Sequence, residues 1–178
     1  RRIKAVGGFS VKSYNQPRRE QRQQVIQAAR ELDMSVYPEG GSTFFHNMSM
    51  VLDGHSGVEH NIPVAPLYKD VLEVWKASKV GYTPTLIVNY GATNGEYYWY
   101  QKTNVWEKDR LLKFTPRAII DGRARFVTKV PDEEYENGYM ATSRAAKVLT
   151  DNGVKVNLGA HGQLQGLGAH WELWMLQQ

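Results

Sequence analysis

The chain has 178 residues, a length typical of one domain, and 42% of them are hydrophobic, which is enough to fill a substantial core. It contains no cysteine, which excludes disulfides, thiolate catalysis and cysteine-ligated zinc sites. No apolar run approaches the roughly 18 residues that a membrane-spanning helix needs, and no signal segment opens the chain. The net charge is +4, and its densest basic cluster, at 17–31, is explained better by a solvated helix face than by nucleic-acid binding.

Hydrophobic periodicity alternates between strand and helix patterns over the first ninety residues. The predicted strands lie at 8–14, 34–41, 57–61 and 82–90, and the predicted helices lie at 18–32, 43–52 and 68–79. Pro17 stands at a helix start, where its missing N–H costs nothing.

The alternation pauses at 91–140, a stretch rich in aromatic residues, Gly, Asn and charge with only short helical pieces. Such a stretch is typical of an insertion that covers an active site. The alternation then resumes with a helix at 142–151, a strand at 154–160 and a final helix from about Leu167.

Five strands separated by helices, several of them apolar throughout, indicate an α/β fold with a parallel sheet. An open doubly wound sheet and part of a (β/α)8 barrel are the two candidate architectures. No GxGxxG opens a helix, and GAHGQLQGLG lacks the Lys and Ser or Thr of a phosphate-binding loop. Polar residues lie within the strands or at their carboxyl ends, which favours the partial TIM barrel. They are Lys12, Glu39, His60, Thr83, Thr85 and His161.

Glu39, His60 and His161 supply one carboxylate and two imidazoles from three strand ends, a set suited to a divalent ion with a position left open for water. Each of these residues alone is more often structural, but their joint placement favours a metal site. Lys12 has apolar neighbours, and a buried lysine must lose its charge, pair with a carboxylate or be modified.

The strand lysine Lys12, GVEH at 57–60, TPTL at 83–86 and the GAH strand followed by HWELWML together resemble a metal-dependent amidohydrolase. The resemblance is to the imidazolonepropionase and prolidase-like branch, and most closely to amidohydrolases that follow a TolB-like β-propeller. It implies that residues 1–178 form a single partial barrel domain, strands four to eight, of a longer chain. It also suggests a periplasmic or exported location.

Position by position, Lys12 resembles the fourth-strand lysine, which many relatives carry in carboxylated form between two metals. His60 resembles the sixth-strand histidine ligand. Glu39 stands where the fifth strand usually ends in a histidine, and His161 stands where the eighth usually ends in an aspartate. A carboxylate thus replaces a histidine on one strand, and a histidine replaces a carboxylate on another, so the number of ligands of each kind is unchanged. The resemblance therefore implies one or two divalent ions, with zinc the first candidate and Mn or Fe the alternatives.

The expected reaction is hydrolysis of an amide, cyclic amide or peptide-like C–N bond in a small molecule, in which the metal lowers the pKa of a bound water to ~7. Glu39 is the first candidate proton acceptor if it is not a full metal ligand, and His161 is the second. Supporting or substrate-binding roles are expected for Glu59, Tyr82, His170 and Glu172. Tyr82 and the run YYWY at 97–100 would line the pocket or pack against neighbouring structure.

Relatives carry an HxH pair on the first barrel strand, and no HxH occurs in this sequence. Five strands with unpaired edges cannot close a barrel, so we expect a homo-oligomer or association with the missing barrel half. For this chain alone we expect weak or no metal binding and no turnover. No nucleic-acid or membrane partner is expected. The alternatives are a half-barrel serving as a structural or interaction module, and a module that binds a small ligand without hydrolysing it.

Overall fold

Four short parallel strands alternate with helices in a mixed α/β fold, seen in a computed structural model that describes residues 1–14, 16–125, 129–133 and 138–178. The strands are β1 Ser10–Ser13, β2 Ser35–Pro38, β3 Gly57–Glu59 and β4 Gly81–Thr83. The α-helices are α1 Arg2–Ala5, α2 Arg19–Arg30, α3 Phe44–Asp53, α4 Lys69–Ser78, α5 Gly95–Lys102, α6 Asp109–Phe114, α7 Arg117–Ala124, α8 Gly138–Asp151 and α9 Leu167–Gln177. Single 3₁₀ turns lie at Leu86–Val88 and Val105–Glu107.

The strands form two small parallel sheets, β1 with β2 and β3 with β4. A parallel bridge between Glu39 and Glu59 links the two sheets, and a second bridge joins Tyr82 to Val156. The order in space therefore follows the order in the chain. Because parallel neighbours run in one direction, their carboxyl ends meet at one edge.

Helix ends follow local chemistry. The helix α3 ends at Gly54, which adopts a left-handed conformation (φ +88°) that glycine tolerates without a Cβ penalty. The helix α4 buries Val71 and Trp75 against the β3–β4 sheet, and the Trp75 indole donates a hydrogen bond to the carbonyl of Val80 at 2.8 Å. This contact fixes the turn that leads into β4.

The predicted strand at 82–90 is wrong beyond Thr83. Pro84 has no N–H to donate to a sheet, and Thr85 adopts a left-handed conformation (φ +53°) that an extended strand excludes. The next backbone N–H groups, of Leu86 and Ile87, donate to the carboxylate of Glu172 at 2.8 and 2.9 Å. The chain consequently turns into a 3₁₀ helix.

The predicted strand at 154–160 shrinks to a single bridge at Val156. Its hydrogen bonds run from Tyr82 N–H to Lys155 at 2.8 Å and from Asn157 N–H to Tyr82 at 2.7 Å. Because β4 ends at Thr83, no extended edge remains for 158–160 to pair with.

The 91–140 stretch forms short helices, as predicted, although 126–128 and 134–137 lie outside the described residues. Its aromatic run at 97–100 packs with α9 into a second core. Ring centroids lie 5.1 Å apart both for Trp99 with Trp174 and for Tyr100 with Trp171.

The outer edge of β1 has no strand partner within the described part of the chain. Nearby, Val6 is 82% and Phe9 78% exposed, unusual values for large apolar side chains. Among the described residues, no helix has both the length and the apolar character to cross a bilayer.

Candidate metal centre

Polar side chains gather in a cleft of about 420 Å³ at the carboxyl ends of the strands. Its lining is Lys12, Tyr14, Glu39, Glu59, His60, Thr83, Thr85, Leu158, Gly159, Ala160 and His161. Four predicted site residues, Lys12, Glu39, His60 and His161, therefore share one cleft.

Glu39 and His60 meet because β2 and β3 converge just past their ends. The N–H of Gly40 donates to the carbonyl of Glu59 at 2.8 Å, which sets the two strand ends side by side. His60 then adopts a left-handed backbone conformation (φ +70°), and its Nε2 forms a very short hydrogen bond to Oε1 of Glu39. A residue held in a sparsely populated conformation at a cleft is typical of a functional site.

Lys12 is not enclosed by apolar groups as its sequence neighbours predict. Its side chain is 43% exposed, and Nζ lies 2.6 Å from Oε2 of Glu39 and 3.5 Å from Oε2 of Glu59. The ammonium therefore stays partly in contact with water and pairs with two carboxylates, so its charge is compensated. Carboxylation of Lys12 would require a neutral amine and hence the loss of these ion pairs.

The charges of the Glu39–His60 pair follow from their surroundings. Burial alone would raise the pKa of Glu39, but Lys12 and His60 outweigh it and hold that pKa below its usual range. Burial lowers the pKa of His60, and Glu39 opposes this effect only in part, while His161 and Lys12 add to the lowering. An ionised Glu39 therefore accepts a hydrogen bond from the Nε2–H group of a neutral His60.

His161 completes the group from the loop before α9. It also has a left-handed backbone (φ +51°), and its ring centroid lies 5.2 Å from that of His60. Unlike His60, its side chain is exposed. One ligand atom from each of Glu39, His60 and His161 lies within 4.8 Å of the others.

This donor set fits a divalent ion. Two imidazoles and a carboxylate are ligands typical of catalytic zinc and of non-haem iron. Bonds of about 2.1 Å in a tetrahedral site put ligand atoms about 3.4 Å apart, so the group needs to contract by only ~1.4 Å at its widest. The buried Nδ1 of His60 has no hydrogen-bond partner among the described residues, so one nitrogen of this imidazole is not engaged by the protein.

The remaining predicted residues divide between the cleft and the core. Glu59 lines the cleft and contacts Lys12. Tyr82 is 1% exposed, packs on Trp75 and accepts the N–H of Ile62 at 3.0 Å, so it belongs to the core. Glu172 is fully buried beneath the 3₁₀ turn, while His170 is exposed at a different cavity, beside α6.

Two residues that the sequence reasoning missed support His60. Tyr90 places its ring centroid 4.7 Å from that of His60. Asn61 holds the Tyr90 backbone reciprocally, accepting from its N–H at 2.6 Å and donating to its carbonyl at 2.7 Å. The sequence offers one signal for this pair, the polar Asn61 directly after GVEH. Asn61 is fully buried, and a buried amide side chain needs hydrogen-bond partners.

Comparisons of this chain with protein-family models, with characterised proteins and with solved structures find no match. The chemistry of the cleft is therefore the ground on which a function is assigned.

Proposed function

We propose that this chain carries the metal site of a hydrolase that cleaves a C–N bond, in an amide, cyclic amide or peptide-like small molecule, with a metal-activated water. We propose also that its strands are strands four to eight of a (β/α)8 barrel. The parallel strand order, which follows the chain from β1 through β4 to Val156, supports that architecture.

The observation that carries the proposal is the convergence of Glu39, His60 and His161 from three separate segments. Ionisable side chains are costly to gather in a partly buried place unless they share a partner. A zinc ion is the partner that suits two neutral imidazoles and a carboxylate, with Mn or Fe as alternatives.

In this proposal Glu39, His60 and His161 hold the ion, which when bound lowers the pKa of a water ligand and polarises the substrate carbonyl. Glu39 is the first candidate to accept the proton of this water where it is not a full ligand. Its lowered pKa keeps the carboxylate ionised and able to accept, although it also makes the carboxylate a weaker base. His161, the exposed member, is the second candidate for moving a proton towards the leaving amine.

Lys12 keeps Glu39 oriented through the 2.6 Å ion pair. A second metal ion would require carboxylated Lys12, as the resemblance implies. The ion pairs with Glu39 and Glu59 favour the unmodified ammonium and hence a single ion.

A non-catalytic interaction module is the second candidate function. The open edge of β1 and the exposed Val6 and Phe9 support it, because such surfaces favour pairing with another chain or another part of the same protein. We propose that this surface contacts either a second copy or further barrel strands.

Metal content and turnover distinguish the two candidates. The protein extended by its upstream coding sequence should hold zinc or manganese stoichiometrically and hydrolyse amide substrates, and His60→Ala should abolish both. His170→Ala, a histidine outside the cleft, is the matched control and should change neither. A His60→Ala variant with undiminished metal would refute the assignment, and absence of metal from the wild type would favour the interaction module.

A further inference from the structure

A row of polar side chains runs from His161 into the 91–140 stretch. Nδ1 of His161 lies 3.2 Å from Oε1 of Gln163, and Nε2 of Gln163 donates to Oε1 of Glu96 at 3.2 Å. Nη1 of Arg123 lies 3.7 Å from the other carboxylate oxygen of Glu96. The row joins the loop before α9 to α5 and α7.

We propose that Gln163 and Glu96 are positioning residues that fix the tautomer of His161, with the proton on Nδ1 and the lone pair on Nε2. Neither residue has a role in the reaction described above. Using that lone pair to bind a metal rests on the proposed function, whereas the tautomer itself does not.

The chemistry of the three groups determines the direction of each hydrogen bond. An ionised carboxylate only accepts, so the side of Gln163 that faces Glu96 must be its NH₂ group. The amide oxygen of Gln163 is then turned towards His161, and because that oxygen only accepts, Nδ1 of His161 must be the donor. With Glu96 ionised, no other arrangement satisfies both contacts.

The two ends of the row differ in burial: the Glu96 end is buried and the His161 end is exposed. Glu96 is 5% exposed and lies in the first turn of α5, and its carboxylate is held between Gln163 and Arg123. His161 is exposed and, without this row, its ring would be free to exchange tautomers with water. A metal-binding histidine usually donates its other ring N–H to such a partner, which orients the ring and raises its basicity.

The row also gives the 91–140 stretch a defined connection to the cleft. Its helices α5 and α7 supply Glu96 and Arg123, although neither residue lines the cleft. The 91–140 stretch therefore orients the His161 ring through Gln163.

Nitrogen NMR of the histidine-labelled, metal-free chain at about pH 8, where an ordinary imidazole is neutral, tests the proposal. Wild-type His161 should show the Nδ1–H tautomer. Glu96→Gln should give a mixture, and Gln163→Leu should shift His161 towards Nε2–H. Gln165→Leu, an exposed neighbour on the same loop, should leave the tautomer unchanged.

The exchanged double variant E96Q/Q163E provides the rescue. A carboxylate at 163 accepts directly from Nδ1 and from the amide at 96, so the Nδ1–H tautomer should return. A purely structural role for the row predicts no such recovery.

Zinc affinity gives the second measurement, with the same substitutions made in the protein extended by its upstream coding sequence. Glu96→Gln and Gln163→Leu should each weaken binding by about 10-fold or more, and the double variant should recover most of the loss. Nε2–H in the wild type, or a tautomer indifferent to both single variants, would overturn the positioning role. If neither the wild type nor any variant of that extended protein binds zinc, the proposed function fails, while the NMR still decides the role of Gln163 and Glu96.

Discussion

Glu39 and His60 share a hydrogen bond although they lie 21 positions apart in the chain. Their contact exists because β2 and β3 end side by side, at the Glu39–Glu59 bridge. The side chains of the pair are 13% and 4% exposed, so this carboxylate–imidazole pair is the enclosed part of the cleft, while His161 is its open side.

Gly40→Ala should damage the junction. An added Cβ at Gly40 would fall on the carbonyl oxygen of Glu59, a backbone atom that cannot move without shifting β3. We expect a loss of about 1–3 kcal/mol in the free energy of unfolding, measured by urea denaturation. Gly41→Ala is the matched control, since an added Cβ there meets nothing within 4 Å, and equal losses in the two variants would contradict this reading.

Asp53→Asn should be strongly destabilising. The Asp53 side chain is fully buried and receives hydrogen bonds from Arg19, Arg22 and Gln23. The Arg22 side chain is only 1% exposed, so removing the carboxylate charge leaves a buried guanidinium without its counter-ion. The expected loss is about 3–5 kcal/mol.

Acid titration provides a second readout for Asp53. Burial alone would raise its pKa, but the bonds from Arg19, Gln23 and Arg22 outweigh burial and lower it. Because the folded pKa is lower than the unfolded one, Asp53 stabilises the fold above the ordinary carboxyl range, and this stability is lost as pH falls through the lowered folded pKa. Asp53→Asn should lack that part of the acid transition. Asp151→Asn, which breaks an exposed pair with Lys147, should change stability by less than about 1 kcal/mol.

Glu172 should make stability depend on pH in the opposite sense. Burial raises the pKa of Glu172 to about 7, although the backbone N–H groups of Leu86 and Ile87 oppose the rise. The folded state then holds a proton that the unfolded state releases, so this contribution is full below the unfolded pKa and falls as pH rises towards 7. Relative to Glu172→Gln, the wild type should lose on the order of 2 kcal/mol between acid and neutral pH. Parallel pH profiles for the two proteins would contradict the assignment, and the exposed Glu73→Gln serves as the control.

The sequence predicts the cleft residues better than it predicts their surroundings. Lys12, Glu39 and His60 could be placed together because polar residues at the carboxyl ends of parallel strands meet at one edge. The prediction for Tyr82 depended on which side of the strand it occupies, and neighbouring strand residues face opposite sides. Tyr82 faces the core and Thr83 the cleft, a choice that residue types alone do not determine.

Contacts between segments far apart in the chain explain why the strand at 82–90 was predicted too long and why the row from His161 to Glu96 was not predicted. The run 82–90 has the pattern of a strand. In the structure the N–H groups of Leu86 and Ile87 donate instead to Glu172, about 85 positions later in the chain, and the strand ends. The row from His161 to Glu96 likewise joins segments 67 positions apart through Gln163. Periodicity describes local structure, so it carries no information on either contact.

The position of a bound ion tests the central claim most directly. Crystals of the 178-residue chain soaked in zinc, with anomalous diffraction recorded at the zinc edge, should show an ion bonded to a carboxylate oxygen of Glu39 and to ring nitrogens of His60 and His161. Millimolar zinc overcomes the weak affinity expected of a three-ligand site. Zinc found only at other histidines such as His46 or His170, with none in the cleft, would contradict the account.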